Sequence, residues 1–277
     1  MLSRIEVRTS GGTLLNLSLE DVFSGYVVQD VEGLDPVKSN LVSSPFANMD
    51  GEQLHSSRRD LRNIVLRIGI EPDYVSSTVQ DLRNNLYNFF MPKSTVSLTF
   101  VMHDGKAFYI SGMVETCEAA LFTREPTMAV SITCFDPDFV STTPTVLTGV
   151  STNSMATAAT NLDYDGTVEA PVKLSITVNR TVGEITVYHT VPSGGIVRSM
   201  EIAYPFLSGD VVTVVTTPGK KSVTLLRTNV SRPILYATPP RAYWMELEHG
   251  RNTYRVYVTG TGSLPYQLEY TARYGGL

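Results

Sequence analysis

Apolar and polar residues alternate along most of this chain with the period of two that a half-buried strand requires. Ile64, Leu66, Ile68 and Ile70 share one side of a run whose other side carries Arg67 and Gly69. Val96, Leu98, Phe100 and Met102 repeat the pattern, as do Met128, Val130, Ile132 and Cys134. Further on, Val172, Leu174, Ile176 and Val178 alternate with Lys173, Ser175 and Thr177, and Tyr266, Leu268 and Tyr270 alternate with Gln267, Glu269 and Thr271. Turn residues punctuate the runs: His103-Asp104-Gly105-Lys106 and Thr217-Pro218-Gly219-Lys220 both predict hairpins. One segment changes period. Val79, Leu82, Leu86 and Phe89 recur at three- and four-residue spacing, which predicts an amphipathic helix. Ser76 or Ser77 is placed to cap it and Pro92 to stop it. Residues 1–140 are therefore expected to form an α+β domain, one helix packed on a sheet.

The same pattern places the domain boundary. No charged residue occurs from Phe139 to Leu162, and residues 141–162 contain ten Ser or Thr. A stretch with so few large side chains to bury is expected to be a linker or an extended arm. Beyond it, turn signals separate about ten short strands, which predicts a β-sandwich of the Ig or jelly-roll kind over residues 163–277. The fold class is mainly β.

Composition narrows the function. An apolar share of 42% with 18% charged residues is that of a folded globular protein. No run approaches the roughly 18 apolar residues of a membrane-spanning helix, and Met1 to Arg8 alternates rather than forming a signal-peptide core. The expectation is synthesis and assembly in a cytoplasm, without membrane insertion. Cys117 and Cys134, with no CxxC, lack the spacing of a zinc site and are expected as reduced, buried small hydrophobes. The net charge of −5 is uneven: residues 1–140 carry 11 Lys and Arg against 18 Asp and Glu, and the remainder 11 against 9. An acidic first half argues against a nucleic-acid surface there.

Candidate chemistry is sparse. His55, His103, His189 and His249 have no metal-ligand spacing and are expected in exposed loops. There is no GxSxG elbow, no GxxxxGK[ST] and no GxGxxG. Glu246 and Glu248 share a strand face about 6–7 Å apart, but solvent-facing Glu on an alternating strand is commonplace and a glycosidase pair is not expected. No catalytic, metal or cofactor-binding residue is assigned, and no enzyme is expected. Tyr243, Trp244, Tyr254, Tyr257 and Tyr266 form either a sugar-stacking platform or the sandwich core, with Trp244 expected in the core. Arg58, Arg59 and Arg62 make the one dense basic cluster, facing either solvent or the acidic residues of a neighbouring subunit.

Several elements occur in an order that resembles a known family. Over residues 30–140 these are Gly33-Leu34-Asp35-Pro36, the Arg59-to-Ile64 segment, Leu82-Arg83-Asn84-Asn85-Leu86-Tyr87 and Asp136-Pro137-Asp138-Phe139. In the second half they are Ser208-Gly209-Asp210-Val211-Val212, Lys221-Ser222-Val223-Thr224, and Trp244-Met245-Glu246-Leu247 with Gly250-Arg251-Asn252. Together they resemble the distal tail protein family of long-tailed, siphovirus-type bacteriophages.

The resemblance implies a structural virion protein of the tail tip. Its first domain, a β-sandwich or split barrel with one helix, would close into a ring, commonly a hexamer. That ring would dock to the tail tube protein above and the tail hub protein below, with the tape measure protein and receptor-binding fibres as further neighbours. Its second domain, galectin- or jelly-roll-like, would decorate the outside. Ring closure would also cover sheet edges that otherwise invite uncontrolled pairing. Asp21, Asp30, Glu32, Glu71 and Asp73 are the candidate lumen charges, repelling phosphate so that DNA passes without specific binding. No long insertion interrupts the second domain, so an added carbohydrate-binding module is not expected. The alternative is a carbohydrate-binding adhesin that recognises the host through the C-terminal sandwich.

Overall fold

The computed structural model describes every residue except 20, 22, 23, 121, 122, 155–158, 194 and 196. It divides into two compact units, Met1–Thr142 with Tyr274–Leu277, and Thr143–Arg273.

The first unit contains β1 (Leu2–Thr9), β2 (Leu14–Ser18), β3 (Tyr26–Glu32), β4 (Ser39–Pro45), β5 (Glu52–Arg59), β6 (Arg62–Ile70), α1 (Val79–Phe90), β7 (Thr95–Met102), β8 (Ala107–Ala120), β9 (Thr127–Cys134) and β10 (Phe139–Ser141). Its main sheet runs β2-β1-β7-β8-β9-β6-β3, with β10 paired to β8. The inward phase of each strand is the apolar one: Ile64, Leu66, Ile68, Leu98, Phe100, Val130, Ile132 and Cys134 are all fully buried. Met102, the last residue of its run, is half-buried.

Helix α1 lays Leu86, Phe89 and Phe90 against this core. Burial of such side chains contributes about 1.5–3 kcal/mol each before entropy is counted. Tyr26 ties the helix down from the edge strand, donating to the Leu82 carbonyl at 3.0 Å and accepting from the Asn85 amide at 2.9 Å. The cap is Thr78 rather than Ser76 or Ser77. Thr78 and Asp81 form a reciprocal capping box, while both serines are engaged by the Asp73 carboxylate, which accepts their backbone N–H groups at 2.9 and 3.0 Å. The Ser76 hydroxyl, which also donates to it, and then these N–H groups hold the Asp73 carboxyl well below its usual range.

The second unit contains β11 (Thr145–Val150), β12 (Thr160–Tyr164), β13 (Ala170–Thr177), β14 (Val182–Thr190), β15 (Val197–Phe206), β16 (Val211–Val215), β17 (Ser222–Arg227), β18 (Val230–Pro233), β19 (Glu246–Leu247), β20 (Gly250–Tyr257) and β21 (Pro265–Tyr270); β22 (Arg273–Tyr274) ends at the boundary. One sheet runs β11-β21-β13-β16-β17-β18 with β19 on β13, and the other β12-β20-β14-β15. Their inward residues, among them Ile176, Val187, Ile202, Val212 and Val256, form a second core.

Two boundary expectations change. The Ser/Thr-rich segment 141–162 is not a bare linker, although its residues 155–158 lie outside those described. Thr145–Val150 pairs rung by rung with β21, from Thr145↔Tyr270 to Val150↔Pro265, because Thr and Val suit a pleated ladder even without charge or bulk. The first unit, moreover, is discontinuous: residues 274–277 return to it. Both cysteines are free, and burial pushes each thiol up to about 11.

Candidate assembly surface

Between β3 and β6 the chain leaves the main sheet to form the hairpin β4–β5, a separate two-stranded sheet. It is in register from Ser39↔Arg59 to Pro45↔Glu52, with a bulge after Val42. Side chains lace the two strands together, Ser44 Oγ lying 2.6 Å from His55 Nε2 and Ser43 donating to Glu52. Every residue of β5 is exposed. Cross-strand partners share a face, so Leu41 and Leu54 lie on one side and Val42 on the other. These side chains are 64%, 59% and 56% exposed, and Met49 at the tip is 68% exposed. A two-stranded hairpin is marginally stable alone, and this one leaves Leu41 and Leu54 exposed on one face and Val42 on the other.

The three arginines at the hairpin's root separate into different roles. Arg58 is exposed on β5. Arg59 forms a paired ion pair with the buried carboxylate of Asp138. Arg62 is 1% exposed and is not available to a neighbouring subunit, contrary to the expectation for this cluster. Its Nε donates to the Pro137 carbonyl at 2.7 Å, Nη1 to those of Gly33 and Asp35, and Nη2 to that of Gly275 at 2.5 Å. The guanidinium also lies 4.3 Å from the centre of the Phe139 ring. The reason is phase: Arg62 shares the inward side of β6 with Ile64 and Leu66, so only a guanidinium with partners on all sides can be accommodated. Desolvation lowers its pKa, opposed by Cys134 and Asp138.

The five acidic candidates are exposed but do not form one group. Asp30 and Glu32 on the edge strand β3 both face Arg67, at 4.0 and 2.9 Å. Glu71 and Asp73 line a cleft of about 460 Å³ with Ser24, Gly25 and Leu82. Asp21 precedes that cleft in sequence.

In the second unit, His189 departs from the exposed-loop expectation. It is wholly buried in β14, stacked with Tyr254 at 4.3 Å and with Tyr243 at 6.0 Å between ring centres. Its Nε2 lies 3.1 Å from Asn252 Oδ1, and burial lowers its pKa. Position offered the signal, since His189 continues the inward phase of Ile185 and Val187. Trp244 is half-buried beside Lys221 rather than in the core, whereas Tyr254 and Tyr266 are core residues. Tyr257 instead pairs with Tyr188, which the sequence did not single out, ring centres 6.4 Å apart on the outer side of β14 and β20. Arg255 stands opposite Tyr188, and on the same side Thr253 donates to Asn161 at 3.1 Å. Glu246 and Glu248 are engaged separately, by Lys221 and Ser193. Among the described residues no group of three His, Cys, Asp or Glu is placed to hold a metal ion.

Residues 165–274 match the family model described as the siphovirus-type tail component, C-terminal domain. The SPP1 Dit (gp 19.1) protein, described as a paradigm of the hub adsorption apparatus in phages infecting Gram-positive bacteria, is similar over 97% of this chain and 98% of its own, at 16% identity and a TM-score of 0.67. The phage P2 baseplate, solved in its activated conformation with Ca, aligns over 100% of both chains at 8% identity and a TM-score of 0.48. No curated protein matches by sequence. The resemblance to the distal tail family is therefore supported over residues 165–274 by the family model, and the fold of the chain is similar to that of the SPP1 Dit protein.

Proposed function

We propose that this chain is a structural subunit of a phage tail tip, assembled in the host cytoplasm and carried in the virion. Copies close into a ring, with six as the expected number, between the tail tube protein above and the hub below; the tape measure protein and receptor-binding fibres are further neighbours. The first unit makes the ring and the second is carried on it. The observation that carries this reading is the β4–β5 hairpin, a two-stranded arm on which Leu41, Val42 and Leu54 stand exposed among the described residues. A neighbouring copy covering that arm would remove both the exposed apolar area and the open strand edges. Exposed Arg58 at its root would meet acidic residues across the contact, and Asp21, Asp30, Glu32, Glu71 and Asp73 remain the candidates for a lumen that does not hold DNA. The test is mass by light scattering. The wild-type chain should reach a closed multiple of the monomer, and a Leu41→Glu, Leu54→Glu double variant should stay monomeric with unchanged circular dichroism. A monomeric wild type at every concentration overturns the ring.

One observation favours a second reading, host recognition through a glycan. Tyr188 and Tyr257 offer an aromatic face with Arg255, Asn161 and Thr253 as hydrogen-bonding neighbours, the combination that suits a sugar ring. Host-wall polysaccharide should then raise the melting temperature of the wild type and not of Tyr188→Ala.

A further inference from the structure

Residues 274–277 belong to the first unit, where Tyr274 lies against β8 and Gly275 to Leu277 lie against the root of the hairpin. The Tyr274 ring meets Phe108 edge-on at 5.0 Å. The Gly275 carbonyl accepts from Arg62, and the Leu277 N–H donates to the Leu34 carbonyl at 3.0 Å. Gly276 passes so close that a Cβ there would lie 2.8 Å from Pro36 Cδ and 3.1 Å from the Leu34 oxygen. The Leu277 side chain packs on the first unit's core.

This strap reaches the outgoing leg and Arg62, and other contacts at the same root hold the returning leg. On the outgoing leg, Arg62 holds the Gly33 and Asp35 carbonyls. On the returning leg, Arg59 is held by Asp138 and the Asp60 N–H donates to the Lys38 carbonyl at 2.9 Å. Arg62 itself opens β6, so one guanidinium joins the outgoing leg, the returning leg, residue 137 and the strap at 275.

We propose that residues 274–277 and Arg62 form a positioning lock for the assembly arm: the hairpin keeps the pose that a neighbouring copy accepts only while this strap is seated. The inference rests on the reading of the hairpin as the assembly arm and adds what controls it. Geometry makes the control sensitive. Seven residues of strand at about 3.3 Å each extend roughly 23 Å, so a 10° rotation at the root moves the tip about 4 Å. Apolar side chains touch within about 4.0–4.5 Å, so a displacement of that size replaces one set of contacts by another. The strap follows the second unit in sequence, so the arm is set only in chains that include both. Assembly is thereby reserved for chains carrying both units.

The test uses the full-length chain, a variant lacking residues 275–277, the Gly276→Ala variant, and Leu41→Glu, Leu54→Glu as the control on the arm. Mass by light scattering reports assembly, and hydrogen exchange reports the Asp60 amide at the root against the β6 and β7 amides of the core. Both strap variants should exchange faster at Asp60 with the core unchanged, and half-assembly should need at least about tenfold more protein, a shift of ~1.4 kcal/mol. If the shortened chain loses protection in β6, Gly276→Ala decides, because it removes no residue and retains the Tyr274 and Leu277 side chains. Strap variants that assemble like the wild type while the arm control stays monomeric overturn the lock and leave the arm intact. An arm control that assembles normally overturns the arm, and the lock with it.

Discussion

Replacing His189 with Phe should remove a measurable part of the acid sensitivity of the second unit. The imidazole is wholly buried and stacked with Tyr254 and Tyr243, and among the described residues its Nδ1 has no hydrogen-bond partner. The charged groups nearest to it are Glu248, which favours the imidazolium, and Arg198, which opposes it; desolvation is the largest influence and lowers the pKa from 6.5. A histidine depressed in the folded state binds its proton more readily when unfolded, so its stability contribution is intact above pH 6.5 and is lost as pH falls from there toward the folded value. The slope cannot exceed about 1.4 kcal/mol per pH unit for one proton. Integrated from pH 7 to pH 5, the ceiling is about 2 kcal/mol, reached when His189 stays neutral in the folded state throughout. Phe keeps a ring beside the two tyrosines and cannot titrate, and Asn252 Oδ1 retains the Glu248 N–H. The assay is urea unfolding followed by the single tryptophan, Trp244, which lies in the second unit. The loss of stability from pH 7 to pH 5 should be smaller in the variant by an amount up to that ceiling. An equal loss in both proteins refutes the argument, because other groups would then carry the whole pH dependence.

Two further substitutions test particular contacts. Arg227→Ala strips the 2%-exposed Asp210 side chain of two donated hydrogen bonds, at 2.8 and 2.6 Å, leaving the Leu207 N–H. It should therefore lower the urea midpoint reported by Trp244 more than the Arg227→Ala, Asp210→Asn pair, which leaves no buried charge behind; the reverse order would show that the ion pair is not what holds the turn. Gly33→Ala places a Cβ 2.0 Å from the Asn63 carbonyl oxygen at a backbone φ of +89°. It should cost at least about 2 kcal/mol, seen as lost hydrogen-exchange protection in β3 and β6, and wild-type protection there would refute the clash.

Much of the fold is legible from spacing alone, because a strand's side chains must alternate and a core must be apolar. Ile64 to Ile70, Met128 to Cys134 and Val172 to Val178 therefore face inward as their pattern requires. The misplaced residues are those whose chemistry suggested one environment and whose phase demanded another. Arg62 and His189 both sit at inward positions, and each is buried because the fold supplies partners from distant segments: carbonyls at 33, 35, 137 and 275 for Arg62, ring faces at 243 and 254 for His189. No local pattern announces such partners. Composition does separate β5 from the core strands, since Glu52-Gln53-Leu54-His55-Ser56-Ser57-Arg58-Arg59 holds one apolar residue and does not alternate. Segment 141–162 was obscured by its own composition, because hydroxyl-rich residues fill a linker and an edge strand equally well.

The discontinuity of the first unit changes which fragment should assemble. From the sequence, residues 1–140 are expected to suffice for oligomerisation. That fragment lacks Tyr274, Gly275 and Leu277, so Arg62 loses one acceptor and Phe108 its aromatic neighbour. A hydrogen bond to a charged group contributes about 1.5–3 kcal/mol and an aromatic pair about 0.5–1.5 kcal/mol. The loss of roughly 2–4.5 kcal/mol compares with a total of about 5–15 kcal/mol for a domain, so the fragment should fold but with a loosened root. Restoring the strap in the same chain is feasible, because β22 pairs with β10 and neighbouring strands lie about 4.8 Å apart. A flexible linker of about four residues, reaching at most ~14 Å, can join residue 142 to residue 273. The joined fragment should protect the Asp60 amide as the full-length chain does and assemble at lower concentration than residues 1–142 alone. Equal protection and equal assembly of the two fragments would mean that residues 274–277 merely rest on the first unit and hold nothing in place.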